Sequence, residues 1–203
     1  MKALFLLSLL SFTVCFSQNQ DSLKLKIDYG VASEEFQDYL LMKNIDFYKV
    51  NISNKNLKGK IFTLVSKEYW NKELTKTDTI INLKNSPRKI EADTLSFNII
   101  TEKVSKDSLQ LFVKFKGLFS TNRKYKTTET NSYSTRDLSN GIETNFQLGK
   151  SFPLLVYTLP YKDPKYPDYL FYCELTKEGI PPEEWGDKFN LEHYIIFEMR
   201  FED

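Results

Sequence analysis

The sequence has few of the residues that build common catalytic and cofactor sites. It contains one histidine, two cysteines and seven glycines among 203 residues. One histidine cannot complete a His-Glu-x-x-His zinc site, and no Gly-x-Ser-x-Gly motif offers a nucleophilic serine. So few glycines also leave no Gly-rich loop to hold a phosphate group. We therefore expect no cofactor and no bound metal, and we favour a role other than catalysis.

An excess of charge of either sign is missing as well. The chain has 28 lysine and arginine residues against 27 aspartate and glutamate residues. Nucleic acids and anionic membranes select proteins that carry a basic excess. We therefore expect no nucleic acid among the partners of this protein.

The first 17 residues have the layout of a secretory signal peptide. Lys2 precedes the uncharged run Ala3–Phe16, and Cys15 and Ser17 are small residues at the −3 and −1 positions of a cleavage site. The run is too short to cross a bilayer, which takes about 20 residues. Lipid attachment to Cys15 is less favoured, because Val14 stands where a bacterial lipobox has a small residue. We expect cleavage after Ser17, export to the periplasm or the extracellular space, and no membrane insertion of residues 18–203.

Cleavage would leave Cys173 as the one cysteine of the mature chain. No intramolecular disulfide could then form, so an apolar core alone would hold the exported protein together. Cys173 stands between Phe171 and Leu175 at period two, which predicts a small buried hydrophobic residue rather than a nucleophile. The bias toward Lys, Asn, Ile and Tyr resembles the composition of a low-GC bacterium.

Alternation of apolar and polar residues predicts a series of β-strands. Residues 169–175 and 193–201 are apolar on both faces, so we expect them to lie as a pair in the middle of a sheet that is covered on both sides. Repeated strands and turns indicate an all-β protein, a two-layer antiparallel β-sandwich of about nine or ten strands with immunoglobulin-like topology favoured. The remaining predicted strands are residues 23–29, 45–53, 59–69, 77–83, 95–99, 109–115, 144–148 and 152–158.

Three segments depart from this strand pattern. Ser33 is a candidate N-cap for a short helix that ends near Met42. Pro181 and Pro182 predict a helical turn or two, limited by a glycine at position 186. Gly117–Gly141 is rich in Ser, Thr and Asn, and we favour a mobile loop there over a long solvated hairpin. We find no linker, and we expect residues 18–203 to form a single domain.

His193 has a functional and a structural interpretation. As a general base it would be oriented by a carboxylate, with Glu192 and Asp187 close in sequence. As the first residue of an apolar strand face it would be packed, with its polar tip hydrogen-bonded or wet. We favour packing, because no nucleophile motif accompanies it. Adjacent acidic residues such as Glu183 and Glu184 leave a carboxylate-dependent hydrolase of envelope or extracellular polymers as the alternative function.

The segment 157–172 carries three prolines and five tyrosines. Prolines favour extended, stiff backbone, and exposed tyrosines provide amphipathic contact surface for sugars, peptides or proteins. The opposing interpretation is that the rings close one end of the sandwich. We favour a non-enzymatic binding or envelope-structural module that uses loops at one end, with a glycan, a peptide or an envelope protein as partner. The candidate ligand-binding residues are Tyr157, Tyr161, Tyr166 and Tyr169.

Overall fold

The computed structural model describes residues 21–117, 119–139, 146–166, 168–172, 175–176 and 179–203. The predicted signal peptide and Cys173 lie outside these residues, so both remain predictions. Within the described ranges, no helix is long and apolar enough to span a membrane.

Ten antiparallel strands of the described chain form two five-stranded sheets, which confirms the predicted two-layer β-sandwich. The first sheet has the order β1-β2-β5-β6-β7 and the second has the order β4-β3-β10-β9-β8. The strands are β1 (Lys24–Tyr29), β2 (Ile45–Ser53), β3 (Ile61–Trp70), β4 (Glu73–Asn82), β5 (Thr94–Ser105), β6 (Ser108–Phe115), β7 (Phe119–Lys126), β8 (Ser134–Asp137), β9 (Phe152–Thr158) and β10 (His193–Glu202).

The first four strands follow the immunoglobulin order. Strand β2 lies beside β1, and the chain then crosses to the β3–β4 hairpin of the second sheet. Strand β5 also takes the immunoglobulin position beside β2, but β6 and β7 then continue outward from β5 as a meander, and β8–β10 run inward from an edge to β3. The N-terminal and C-terminal halves of the chain therefore each contribute strands to both sheets.

The main core lies between the sheets and follows the predicted period-two faces. Leu95, Phe97 and Ile99 of β5 are buried, and so are alternate residues of β6 from Leu109 to Phe115. Aromatic rings span the interface, with the ring centroids of Phe62 and Phe115 4.9 Å apart. Each inward-facing set is apolar through the middle of its strand, which is the pattern expected for a packed inner face.

A second, smaller core covers the outer face of the second sheet. Tyr194 and Ile196 of β10 pack there beneath a 3₁₀ turn (Pro182–Glu184) and helix α2 (Trp185–Phe189). Strand β10 is therefore central and buried on both faces, as the sequence predicts. The helical turns after Pro181 also lie where the prolines predict them.

The predicted strand over residues 169–175 is wrong. Strand β10 pairs with β3 and β9, and the described part of residues 169–175 contributes only an isolated bridge between Tyr161 and Phe171. The apolar character of the segment has two other causes. Its aromatic rings pack on one another, and Leu175 belongs to the second core.

The predicted mobile loop over Gly117–Gly141 is also wrong, and so is the hairpin alternative. Strand β7 forms the edge of the first sheet and β8 forms the edge of the second. Edge strands need few apolar residues, because ladder hydrogen bonds and a single packed face suffice. Arg123 of β7 donates hydrogen bonds to the carbonyls of Ile80 (3.0 Å) and Thr79 (3.4 Å) of β4, which joins the two sheets along one side.

Helix α1 (Glu34–Met42) connects β1 to β2 and begins as predicted. Oγ of Ser33 accepts a hydrogen bond from the backbone N–H of Phe36 at 3.3 Å, which is N-cap geometry. Leu40 is its one buried residue, and the stacked rings of Phe36 and Tyr39 are about half exposed.

Candidate functional site

Residues 157–172, which we call the tyrosine-proline segment, lead out of β9 at one end of the sandwich. Helix α1, the β5–β6 turn and the connection 127–133 between β7 and β8 lie at the same end. At this end the inward faces of the strands stop being apolar. Asp46 continues the buried face of β2, Lys103 continues that of β5, and His193 continues that of β10. The open end of the sandwich interior is therefore polar and carries charge.

Backbone hydrogen bonds fold the tyrosine-proline segment into a short hairpin. Tyr161 and Phe171 exchange N–H···O bonds of 2.8 and 3.0 Å. At the turn, Oδ1 of Asp163 accepts from the backbone N–H of Lys165 at 2.8 Å, and the carbonyl of Asp163 accepts from Tyr166 at 2.9 Å. These bonds and the fixed φ of the prolines restrict the backbone of the loop.

Four aromatic rings cluster on this hairpin, and we call them the aromatic tip: Tyr161, Tyr166, Tyr169 and Phe171. Neighbouring ring centroids lie 6.3–6.5 Å apart. Tyr161 forms the base, half-buried against Phe189 at 5.3 Å. Tyr166 and Tyr169 form the end of the tip and are 55% and 65% exposed.

The structure thus separates the four candidate tyrosines. Tyr161, Tyr166 and Tyr169 lie together, whereas Tyr157 is a β9 residue that is 3% exposed and stacked on Tyr133 at 4.9 Å. Tyr157 is not part of the exposed surface. That the other three bind a ligand remains a prediction.

A groove of about 480 Å³ runs beside the aromatic tip. Its apolar side comes from the start of the hairpin and the end of α2, and its polar side comes from hydroxyl groups of the 127–133 connection. The lining residues are Thr128, Thr130, Ser132, Leu159, Pro160, Lys162, Leu170, Phe189, Asn190, Leu191 and Glu192.

A second, smaller cavity of about 240 Å³ lies on the other side of the 127–133 connection. We call it the polar pocket; it is lined by Lys43, Asn44, Asp46, Lys103, Asn131, Tyr133 and Tyr157. The connection forms a wall, because its residues 128, 130 and 132 face the groove whereas residues 131 and 133 face the polar pocket.

The wall is fixed from both sides. The ammonium group of Lys103 donates to the carbonyls of Thr128 (2.9 Å) and Thr130. The hydroxyl of Tyr172 donates to the carbonyl of Ser132 at 2.5 Å. These bonds satisfy carbonyl groups of an irregular segment and hold it in one position.

Behind the polar pocket, Tyr133 contacts a buried cluster that contains His193. The hydroxyl of Tyr133 accepts from the N–H and Oγ1 of Thr128 (3.3 and 3.2 Å), which leaves its proton for Nδ1 of His193 at 2.7 Å. The histidine ring is fully buried and lies against Trp70, with centroids 4.0 Å apart. Its Nε2 faces a carboxylate oxygen of Glu68 at 3.6 Å.

The favoured interpretation of His193 as a packed residue agrees with this geometry, although its carboxylate neighbour is Glu68 rather than Glu192 or Asp187. Trp70 donates its indole N–H to Glu68 at 2.6 Å. Burial raises the pKa of Glu68, but the neighbouring His193 ring, the hydrogen bond from Trp70 and the charge of Lys76 outweigh burial and leave that pKa below its ordinary value. His193 lines neither the groove nor the polar pocket.

Asp46 and Lys103, two charged residues that line the polar pocket, are not identified in the sequence analysis. Burial raises the pKa of Asp46, and the hydrogen bond from the Thr135 N–H (2.7 Å) offsets only part of that rise. Burial lowers the pKa of Lys103, with partial compensation from Asp107 and Glu129. The available signal was a charge at an inward position of a period-two strand, next to Tyr48 in β2 and to Thr101 in β5.

Comparisons of the chain with protein-family models, with curated proteins and with solved structures find no match. Within the described residues, no group of three or more His, Cys, Asp or Glu side chains is arranged to hold a metal ion.

Proposed function

We propose that this chain is an exported bacterial binding module that holds a peptide segment of an envelope or extracellular protein against the aromatic tip and the adjoining groove. The observation that carries the proposal is the pair of exposed rings, Tyr166 and Tyr169, beside a groove with an apolar side. Tyrosine contributes large contact area at low entropic cost and is enriched among residues that dominate binding energy.

The lining of the groove favours a peptide over a glycan. Leu159, Leu170 and Leu191, together with Pro160 and Phe189, offer a hydrophobic surface for an apolar side chain. The hydroxyl groups on the opposite side can donate to and accept from a peptide backbone. A groove with an apolar base and a few polar groups along one edge is typical of peptide recognition.

The local backbone supports recognition without large rearrangement. The bridge between Tyr161 and Phe171, the turn at Asp163 and the packing of Tyr161 on Phe189 fix the tip before any ligand binds. A surface that is already ordered loses little conformational entropy on association.

Export and bacterial origin rest on the pattern of residues 1–17 and on composition. The hydrolase alternative has less support, because the groove contains one carboxylate, that of Glu192, among the residues that line it. Hydrolysis by a carboxylate pair needs two such groups facing each other across the substrate.

A defined library tests this proposal. Residues 18–203 would be screened against random twelve-residue peptides and, in parallel, against a glycan array. We expect selected peptides to share an apolar or aromatic anchor and to bind about 30-fold more weakly to the double variant Tyr166→Ala/Tyr169→Ala.

The control is Phe36→Ala/Tyr39→Ala on α1, which removes two rings that are 50% and 47% exposed. It should leave peptide affinity unchanged. Tyrosine-dependent binding of a glycan instead of peptides would overturn the ligand class, and no enrichment on either library would overturn the binding proposal itself.

A further inference from the structure

The polar pocket holds two opposite charges that do not pair. Asp46 and Lys103 line the same cavity of about 240 Å³. Among the described residues, neither has an oppositely charged group within 4 Å, and Arg136 acts on Asp46 only from a longer distance. A half-buried carboxylate and a half-buried ammonium group that face one cavity without contact leave room for a molecule between them.

Both groups retain unused hydrogen-bonding capacity. A carboxylate offers about four lone-pair sites, and Asp46 uses two of them, for the N–H of Thr135 (2.7 Å) and the hydroxyl of Tyr29 (3.4 Å). An ammonium group has three donors, and Lys103 uses two of them on the carbonyls of Thr128 and Thr130. Each group can therefore accept or donate at least one further bond.

The walls of the polar pocket are fixed in advance. The ring of Tyr133 is held between Tyr157, at an interplanar angle of 4°, and the buried ring of His193. Lys43, Asn44 and Asn131 stand exposed at the rim. A second cation at the rim beside Lys103 gives the pocket one more positive than negative charge.

We propose that the polar pocket binds a free α-amino acid as its zwitterion. The ammonium group of the ligand would lie against Asp46, and its carboxylate would lie against Lys103 and Lys43. The amides of Asn44 and Asn131 would donate to and accept from the polar end of the ligand. The cavity is below the volume of about 300–1,000 Å³ that suits drug-sized molecules, which fits a small metabolite.

This site is separate from the groove beside the aromatic tip, because the 127–133 wall lies between them. Binding of an amino acid therefore does not depend on the proposed peptide site. A neutral sugar would satisfy the amides but would leave both charges without a partner, and a simple anion would leave Asp46 without one.

The test uses the unmodified protein first. Each of the twenty common amino acids would be titrated into residues 18–203 by calorimetry, up to about 10 mM, where affinity is near the lower limit of specific binding. For an aromatic ligand such as L-phenylalanine, 3-phenylpropionate and 2-phenylethylamine each lack one of the two charges. We expect binding of at least one amino acid, and at least about ten-fold weaker binding of both truncated analogues.

Variants of the protein then show which residue contacts the ammonium group of the ligand and which contacts its carboxylate. Asp46→Asn should weaken the amino acid about ten-fold and leave 3-phenylpropionate unchanged, whereas Lys43→Gln should weaken 3-phenylpropionate and leave 2-phenylethylamine unchanged. Asp38→Asn and Lys49→Gln, at exposed positions outside the pocket, are the matched controls. Lys103 is left intact because it also anchors the wall. Failure of all twenty amino acids to bind, or binding of both truncated analogues as tightly as the amino acid itself, would overturn the proposal.

Discussion

The hydroxyl group of Tyr133 offers a sharp test of the buried cluster at the open end of the sandwich. Tyr133→Phe keeps the ring that stacks on Tyr157 and removes one oxygen atom. That oxygen carries the proton directed at Nδ1 of His193, 2.7 Å away. The histidine ring is fully buried, so the substitution removes the hydrogen-bond partner of a buried nitrogen atom.

The expected cost follows from leaving a buried acceptor without a partner. Such a loss destabilises a protein by about 1–3 kcal/mol. A change of His193 to the tautomer protonated at Nδ1 would not avoid this cost. In that tautomer the lone pair of Nε2 would face the carboxylate of Glu68, 3.6 Å away. For a chain of this size, about 2 kcal/mol corresponds to a fall in Tm of about 4–8 °C.

Urea denaturation measures the effect directly, with an unchanged m-value as the sign that the unfolded surface is the same. Tyr39→Phe is the matched control, since it removes a hydroxyl group from a ring that is 47% exposed and should change stability by less than about 0.5 kcal/mol. Equal stability of Tyr133→Phe and the wild type would show that the cluster is not hydrogen-bonded as described.

Two further substitutions test the burial of Asp46 and the packing of α2. Burial holds the pKa of Asp46 above its ordinary value of 3.8, so the folded protein binds that proton more tightly than the unfolded chain does. The wild type should therefore lose stability relative to Asp46→Asn as pH rises from about 4 toward neutrality. Urea denaturation of both proteins across this pH range measures the difference in their free energies of unfolding. A difference that does not change with pH would show that burial does not raise the pKa of Asp46. Gly186→Ala would place a Cβ atom 2.7 Å from Cα of Lys72. We expect a net loss of about 1–3 kcal/mol in thermal melts despite the better helix propensity of alanine, and a gain in stability would contradict the close packing of α2 on the β3–β4 turn.

The sandwich could be predicted because its strands carry period-two faces with one buried side. The period-two pattern of residues 45–53, and the apolar character of residues 193–201 on both faces, predict strands whose ends agree closely with those of β2 and β10. The N-cap at Ser33 could also be predicted, because a capping hydrogen bond depends only on residues that are close in sequence. Strand order was less accessible, because it depends on which strands meet across long sequence separations.

The failures have one physical origin. Strand β7 is hydrophilic because it lies at a sheet edge and needs only Tyr125 and its neighbours on one side to pack, so composition alone resembles a loop. Tyr169 and Phe171 belong to an aromatic cluster and Leu175 belongs to the second core, rather than to a sheet. Contacts between distant segments decided both cases. The polar pocket was missed for the same reason, although Asp46 and Lys103 at inward strand positions were visible in the sequence.

We propose that Tyr166 and Tyr169, the exposed end of the aromatic tip, form a binding surface and contribute little to the stability of the fold. The most direct measurement compares Tyr166→Ala/Tyr169→Ala with the wild type in two assays on the same samples, the affinity for the tightest peptide from the library and the melting temperature. We predict an affinity loss of roughly 2 kcal/mol or more, with a change in folding stability within about 0.5 kcal/mol. A large fall in melting temperature with unchanged affinity would contradict the claim and would show that these rings close the end of the sandwich.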